Sequence, residues 1–310
     1  MVRARAYTRP MPSIHPTALV DPEAEIAEGV TIGPYSIVEG QVTLREGVTL
    51  TSHNHIIGPA TIGERTTLFP FASVGMAPQH TAFDPDKGVG GIVIGRDVTL
   101  RESTTVHQAW QTDAPTRVGD RCYFMAGSHV GHDATVGDDC IACNYVQISG
   151  HCVLEDRVYC SGLSAIHQFG RVGRQSMISA AIAVSQDVPP YCLVAERNML
   201  GGLNVIGMRR SGIAPGEITA ARRAYNQVFR AGLTRDEMQQ RLDEMAQTSE
   251  TVSHMAEFVR ASTRGIVPGD GRPRPMVRSW IRRAIRGESE LATAGEPVGQ
   301  PVGQPVGEEA

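Results

Sequence analysis

The sequence predicts a mainly β fold, a parallel β-helix of six-residue repeats followed by a C-terminal α-helical domain. The first observation is an aliphatic residue at almost every sixth position before residue 190. The second is a change to helical spacing after that point. The third is a composition of 41% hydrophobic but only 5% aromatic residues, which favours an interior filled by small and branched aliphatic side chains.

The six-residue repeat assigns residues 14–190 to the β-helix. A period of six is neither that of a strand nor that of an α-helix, and it fits a triangular coil of about 18 residues whose stacked turns pair as parallel strands. Each coil contacts only its neighbours. The residue four positions after most repeat starts is small or β-branched and is expected to let the corner bend. The repeat starts are too many for chance: Ile14, Val20, Ile26, Ile32, Val38, Leu44, Leu50, Ile56, Ile62, Leu68, Val74, Ile94, Leu100, Val106, Val118, Phe124, Val130, Val136, Ala142, Ile148, Leu154, Cys160, Ile166, Val172, Ile178 and Val184.

Three segments stand outside the repeat. Residues 1–13 form a basic N-terminal arm without the apolar stretch of a secretory signal. Residues 76–91, which contain Pro, Gly and Asp, and residues 107–117, which contain Pro and Asp, interrupt the repeat and are predicted to be loops. Loops that leave a rigid scaffold often carry functional residues.

Residues 191–267 are predicted to form the α-helical domain. A first helix over 217–231 has one apolar stripe and ends at Gly232. Thr234 and Glu237 form a capping box for a second helix, and a third helix is expected over 249–262.

Residues 268–310 are predicted to be an extension. Within it, residues 276–286 place Trp280 and Ile281 opposite four arginines. This amphipathic stretch could contact a membrane surface, pack on the assembled protein or attract an acidic partner protein. The remaining tail repeats Pro-Val-Gly three times and is expected to be disordered.

Charge and cysteine usage exclude several classes of protein. The net charge of −4 and pI near 6.2 argue against a nucleic-acid binder. The sequence contains no run of about 18 apolar residues, so no membrane span is predicted. The six cysteines are expected to be free thiols in a reducing cytoplasm.

One coil of about 18 residues brings chemically useful side chains together. Asp133 is expected beneath His151, and Gly150 above His132. A histidine can act as a general base, a carboxylate can orient it, and a glycine at a bend leaves an N–H open to an oxyanion. The alternatives are surface or packing histidines and a metal site. A metal held by His129 and His132 is disfavoured because that spacing on a strand directs side chains to opposite faces.

The strings around these residues resemble the LpxA family, the acyl-[acyl-carrier-protein]–UDP-N-acetylglucosamine O-acyltransferases. The resemblance covers about 14–266, and its most specific segments are 125–133, 149–151, 164–169 and 186–191. It implies a left-handed parallel β-helix and a cytoplasmic homotrimer with active sites between subunits. It also implies transfer of a 3-hydroxyacyl chain from acyl carrier protein to the 3-hydroxyl of UDP-N-acetylglucosamine, the first step of lipid A biosynthesis, with no cofactor or metal.

The resemblance also implies a role for each matching residue. His132 would be the general base, Asp133 its orienting partner and Gly150 the oxyanion donor. Substrate contacts are implied for His129, His151, His167 and Gln168. Asn204, Arg209 and Arg210 match the region that holds uridine diphosphate, although the arginines could equally be a solvated helix face. Ala180 matches the end of the acyl groove, although it could be a small core residue at a corner.

Two departures leave the acceptor sugar open between a 3-hydroxyl and a 3-amino compound. After Gln79 the family's Asp-x-Lys reads His80-Thr81-Ala82, and Ile206 replaces an acidic residue. Gln79 and His80 are candidate sugar contacts. Lys87, the only lysine, could replace the missing amine or be an ordinary loop residue. The alternative functions are N-acyl or N-acetyl transfer to a related amino-sugar nucleotide and a scaffold without catalysis, which the group of His132, Asp133 and Gly150 disfavours.

Overall fold

The computed structural model describes residues 11–110 and 114–269, and it confirms the predicted fold class. A parallel β-helix is followed by a β-hairpin and, in the described part of the chain, four α-helices. Residues 1–10 of the predicted arm and 270–310 of the predicted extension, with the stretch 276–286, lie outside the described residues. None of the helices described is long and apolar enough to cross a membrane.

The strands are short, and every third strand of the β-helix joins the same sheet. Sheet A has 11 strands, sheet B nine and sheet C eight. In chain order the strands are β1 (Ser13–Ile14), β2 (Leu19–Val20), β3 (Glu25–Ile26), β4 (Thr31–Ile32), β5 (Ile37–Glu39), β6 (Val42–Leu44), β7 (Thr49–Leu50), β8 (His55–Ile57), β9 (Ala60–Ile62), β10 (Thr67–Leu68), β11 (Ser73–Met76), β12 (Ile92–Ile94), β13 (Thr99–Leu100), β14 (Thr105–His107), β15 (Thr116–Val118), β16 (Tyr123–Phe124), β17 (His129–Val130), β18 (Thr135–Val136), β19 (Ile141–Ala142), β20 (Gln147–Ile148), β21 (Val153–Leu154), β22 (Tyr159–Cys160), β23 (Ala165–Ile166), β24 (Arg171–Val172), β25 (Met177–Ile178), β26 (Ala183–Val184), β27 (Cys192–Glu196) and β28 (Met199–Leu203).

The repeat starts line the core. From Ile32 to Val184 they are buried, whereas Ile14 at the open N-terminal end is 46% exposed. Burial of one such aliphatic side chain contributes roughly 1.5–3 kcal/mol, so stability accumulates coil by coil. All six cysteines are buried free thiols in this core.

Most corners turn at the residue three positions after a repeat start. Asp133 and His151, for example, have φ values of 59° and 58°. These values lie in the left-handed region, which residues other than glycine adopt uncommonly. The small residue one position later, such as Ala134 or Cys152, is buried inside the corner. The predicted small residue therefore fills the corner, while its predecessor makes the bend.

The two excursions lengthen single coils without breaking the stack. Ser13 pairs with Thr31, 18 residues on, whereas Thr67 pairs with Thr99 and Thr99 with Tyr123. The predicted bounds were slightly wide: Met76 still pairs with His107 across sheet B, and Thr116 already pairs in sheet C. The excursions are thus 77–91, with a 3₁₀ turn at Pro85–Lys87, and 108–115.

The prediction of an α-helical domain from residue 191 was wrong for its first part. β27 pairs parallel with β25, and β28 folds back antiparallel to β27, so sheet A continues to Leu203. Cys192 and Val194 remain buried in the β-helix core, which explains why the chain stays extended there.

The helices begin at α1 (Val205–Arg210). They continue with α2 (Pro215–Ala224), a π-helical turn (Tyr225–Phe229), α3 (Arg235–Ala246) and α4 (Glu250–Arg260). The predicted apolar stripe is buried, and the predicted capping box of Thr234 and Glu237 is present. Ser249 and Thr251 at the start of α4 hydrogen-bond to Glu217 of α2, which joins the two helices. Backbone and hydroxyl donors lower the pKa of Glu217.

Candidate active site

The candidate site lies at one corner of two neighbouring coils, where β17 and β20 of sheet B end. His132 and Asp133 follow β17, and Gly150 and His151 follow β20. The His151 N–H donates to the His132 carbonyl oxygen over 2.9 Å. The stacking predicted from the 18-residue coil is therefore present.

His132 and Asp133 form a hydrogen-bonded pair although they are adjacent in sequence. His132 Nδ1 lies 2.7 Å from Asp133 Oδ2. The Asp133 side chain is fully buried and that of His132 is 11% exposed. The Asp133 N–H donates to Thr116 Oγ1 over 2.8 Å, which fixes the corner. A carboxylate at Nδ1 holds the imidazole with its proton on that nitrogen, so Nε2 presents a lone pair.

Gly150 faces the free edge of that imidazole. A Cβ atom at this position would lie 2.7 Å from His132 Nε2, so no other residue fits without a shift. Within residues 11–110 and 114–269, the Gly150 N–H makes no hydrogen bond. An open backbone donor beside the lone pair of a base can stabilise an oxyanion that forms there.

His151 adds a second imidazole beside the pair. Its Nε2 lies 3.8 Å from Asp133 Oδ2, and its ring stacks on Phe169 with centroids 4.5 Å apart. Burial lowers the pKa of His151, and the Asp133 charge opposes this effect.

Ligand atoms of His132, Asp133 and His151 all lie within 4.8 Å of one another, so this group is also the candidate for a metal ion. The short contact between His132 Nδ1 and Asp133 is a hydrogen bond, and it holds the imidazole proton on Nδ1. His129 does not join the group, since its Nδ1 contacts Thr105 Oγ1 at 2.8 Å. The alternative of a metal held by His129 and His132 is therefore not supported by this geometry.

His129 is packed against a second histidine that the sequence reading missed. The rings of His107 and His129 lie 4.8 Å apart and perpendicular. Burial is the main cause that lowers the pKa of His129 to about 4, and it also lowers the pKa of His107. Both imidazoles are therefore neutral near pH 7. The sequence signal for His107 was its place at the start of the second excursion.

His167 and Gln168 are exposed at the corner of the next coil. Arg264, from the segment after α4, approaches His167 Nδ1 to 3.3 Å and donates to the Ser185 carbonyl oxygen. Arg264 lies within the range 14–266 that resembles the family, but the sequence alone gave it no role. The structure now makes it a neighbour of a candidate substrate contact.

The first excursion reaches the candidate base through His80. The rings of His80 and His132 are perpendicular, with centroids 5.8 Å apart. Gln79 is exposed beside it. Lys87 is exposed on the 3₁₀ turn and pairs with Asp84 at 3.6 Å, so its predicted sugar contact stays a prediction.

The candidate nucleotide residues belong to α1, beyond the last coil. The Asn204 side chain is already used, since its Oδ1 caps α1 at the Gly207 N–H and its Nδ2 donates to the Gln175 carbonyl. Arg209 and Arg210 are exposed in the last turn of α1. Ala180 is exposed at the corner after β25, so the alternative that it is a core residue was wrong.

Known proteins resemble the chain along most of its length. A family model described as UDP N-acetylglucosamine O-acyltransferase, domain 2, matches residues 187–267. Acyl-[acyl-carrier-protein]–UDP-N-acetylglucosamine O-acyltransferases of Anaeromyxobacter sp. (strain Fw109-5) and Burkholderia lata are 43% and 44% identical, over 82% and 83% of this chain and 99% and 100% of theirs. The crystal structure of LpxA from Acinetobacter baumannii matches with a TM-score of 0.79 and 35% identity, over 82% of this chain and 99% of that one.

Proposed function

The chain belongs to the family of acyl-[acyl-carrier-protein]–UDP-N-acetylglucosamine O-acyltransferases, and on that premise we propose how its residues carry out the transfer. The protein is an acyltransferase that moves an acyl chain from acyl carrier protein to UDP-N-acetylglucosamine in the first step of lipid A biosynthesis. The assignment of the catalytic residues rests on one observation, the His132 Nε2 edge that faces the open Gly150 N–H.

In the proposed mechanism His132 Nε2 removes the proton from the sugar 3-hydroxyl while that oxygen attacks the thioester carbonyl carbon. Asp133 stabilises the imidazolium that forms, because its carboxylate is buried and bound to Nδ1. The Gly150 N–H donates to the tetrahedral oxyanion. Collapse of the intermediate breaks the carbon–sulfur bond, and the departing thiolate of the carrier protein takes the proton from His132.

The thioester supplies the activated acyl group, so the proposed reaction uses no cofactor or metal. The neutral His129 and His151, together with His167 and Gln168, are proposed to contact the substrates. Gln79, His80 and Lys87 of the first excursion are proposed sugar contacts. Arg209 and Arg210 are proposed to bind the diphosphate, for which guanidinium groups are well suited, while Asn204 holds the start of α1.

Both acceptor chemistries remain distinguishable by experiment. We expect purified protein to transfer a 3-hydroxyacyl chain to UDP-N-acetylglucosamine, detected by mass spectrometry with carrier proteins of several acyl lengths. The 3-amino analogue tests the alternative N-acyl transfer, which the replacement of the family's lysine by Ala82 motivates. A product formed only from the analogue would revise the acceptor, and no product from either would contradict the function.

We further propose a cytoplasmic homotrimer with weak membrane contact through 276–286. The cytoplasmic location follows from the carrier-protein donor. For the membrane contact, liposomes with anionic lipid should sediment more of the full-length chain than of residues 1–268, since apolar and basic faces oppose each other in that sequence. Equal sedimentation of the two proteins would remove membrane contact from the proposal.

A further inference from the structure

Trp110, in the second excursion, is fixed beside the candidate base. The backbone N–H of Trp110 donates to Asp133 Oδ1 over 3.3 Å. The other oxygen of that carboxylate is the one hydrogen-bonded to His132. The preceding residue, Ala109, is bridged to Gly91 at the end of the first excursion. Two loops and the catalytic corner therefore meet at Trp110.

The indole forms a wall with rings from the first excursion. His80 lies 5.0 Å and Phe83 5.7 Å from the Trp110 ring, measured between centroids. The His132 ring lies 6.2 Å from the indole. Flat apolar surfaces with a few polar groups nearby are typical of small-molecule pockets. A pyranose ring presents such a flat surface through its C–H groups.

We propose that Trp110 is a specificity-determining residue for the acceptor, with the indole face packed against the pyranose ring while the 3-hydroxyl points at His132. The inference rests on the proposed function and assigns its sugar a binding surface. The indole contacts the sugar and not the nucleotide. Its removal therefore weakens binding of the sugar nucleotide and leaves binding of UDP unaffected. Its contact with Asp133 uses the backbone, so side-chain substitutions keep that hydrogen bond.

The indole Nε1–H allows the aromatic face to be tested separately from hydrogen bonding. It is buried and has no acceptor in the part of the chain that the structure describes. Trp110→Phe therefore keeps an aromatic face and loses no hydrogen bond, whereas Trp110→Leu loses the face. Leu19→Ala is the control, because Leu19 is an exposed apolar side chain in β2, at the N-terminal end of the β-helix.

Calorimetric titration with UDP-N-acetylglucosamine and with UDP should give a Kd for the sugar nucleotide that is about tenfold weaker in Trp110→Leu. Trp110→Phe and Leu19→Ala should stay within about threefold of the unsubstituted protein, and UDP should bind all four proteins alike. In turnover, Trp110→Leu should raise KM for the sugar nucleotide with little change in kcat.

Three results for Trp110→Leu would overturn the assignment. They are an unchanged Kd for the sugar nucleotide, an equal weakening of UDP binding, and a loss of kcat without a change in KM. The last would make Trp110 a positioning residue for Asp133. Because binding is measured without acyl transfer, failure of the proposed function, seen as absent product with the unsubstituted protein, is distinguishable from failure of this inference.

Discussion

At the scale of single residues, the site depends on a backbone conformation that residues other than glycine rarely adopt. Asp133 has a φ of 59°, and this bend turns its carboxylate back onto the imidazole of the preceding residue. In an ordinary strand, adjacent side chains point to opposite faces. The corner thus makes a hydrogen-bonded pair from neighbours in sequence.

The first prediction concerns the base. His132→Ala should lower kcat by about a hundredfold or more, the usual effect of losing a positioned base. The core should stay intact, since the neighbouring hydrogen bond from His151 uses the backbone of residue 132. Steady-state turnover and a thermal unfolding curve on the same preparation provide the check. Near-normal turnover in a folded variant would remove His132 from the role of base.

The second prediction concerns acid stability. The folded protein holds the pKa of His129 near 4, below its ordinary value of 6.5. Between these values the unfolded chain binds more protons, so the free energy of unfolding falls as the pH drops from 6.5 towards 4. The loss from this residue is on the order of 3 kcal/mol at its limit.

His129→Asn removes the titration while its amide can still reach Thr105. Urea unfolding at pH 7 and pH 4.5 should therefore show a smaller acid loss in this variant than in the unsubstituted protein. His15→Asn, at an exposed position, is the control and should keep the full loss. Equal acid losses in the unsubstituted and His129→Asn proteins would contradict the assignment.

Residue contacts within regular coils were predictable, and those across the excursions were not. Gly150 over His132 follows from a constant coil of 18 residues. His107 and Trp110 lie where pairing offsets change, because Thr105 pairs with His129, 24 residues on. Spacing alone therefore gave neither residue a partner.

At the scale of elements, the six-residue period identified the β-helix because every side of every coil buries the same position. The hairpin β27–β28 was missed because it continues sheet A without that period. α1 was missed because six residues are too few to show a helical stripe. The longer helices were predicted well, since their buried stripes and caps are local features.

The third prediction concerns the corner between β25 and β26. Ala180 is exposed there, so a larger side chain can be placed without disturbing the core. Ala180→Met should shorten the preferred acyl chain and Ala180→Gly should permit a longer one, because the side chain would close the end of the acyl groove.

Competition between carrier proteins of different acyl length, read by mass spectrometry, measures this preference. Ala231→Met, at an exposed alanine after the π-helical turn, should leave it unchanged. Unchanged selectivity in both Ala180 variants would exclude this residue as the length determinant.

At the scale of the whole molecule, one edge of the prism exposes a row of apolar side chains. Tyr35, Phe71, Tyr145 and Leu163 occupy the corner between sheets A and B on four of the coils and are 58–66% exposed. Exposed apolar rows of this kind mark association surfaces. Tyr145 lies on the coil that also carries Gly150 and His151 of the candidate site, so we expect association here to bring a second copy of the chain close to that site.

The last prediction is that this row holds the proposed homotrimer together. Leu163 is 66% exposed and has a φ of 60°, a conformation that aspartate tolerates better than leucine. Leu163→Asp should therefore keep the corner folded while placing a charge in an apolar interface. Light scattering should give three times 33.4 kDa for the unsubstituted protein and a lower mass for the variant, with turnover lost in parallel. Leu19→Asp, at a leucine that is 64% exposed in β2 and lies outside this row, should remain trimeric and active. A monomeric unsubstituted protein, or a Leu163→Asp variant with full mass and turnover, would contradict an interface along this edge.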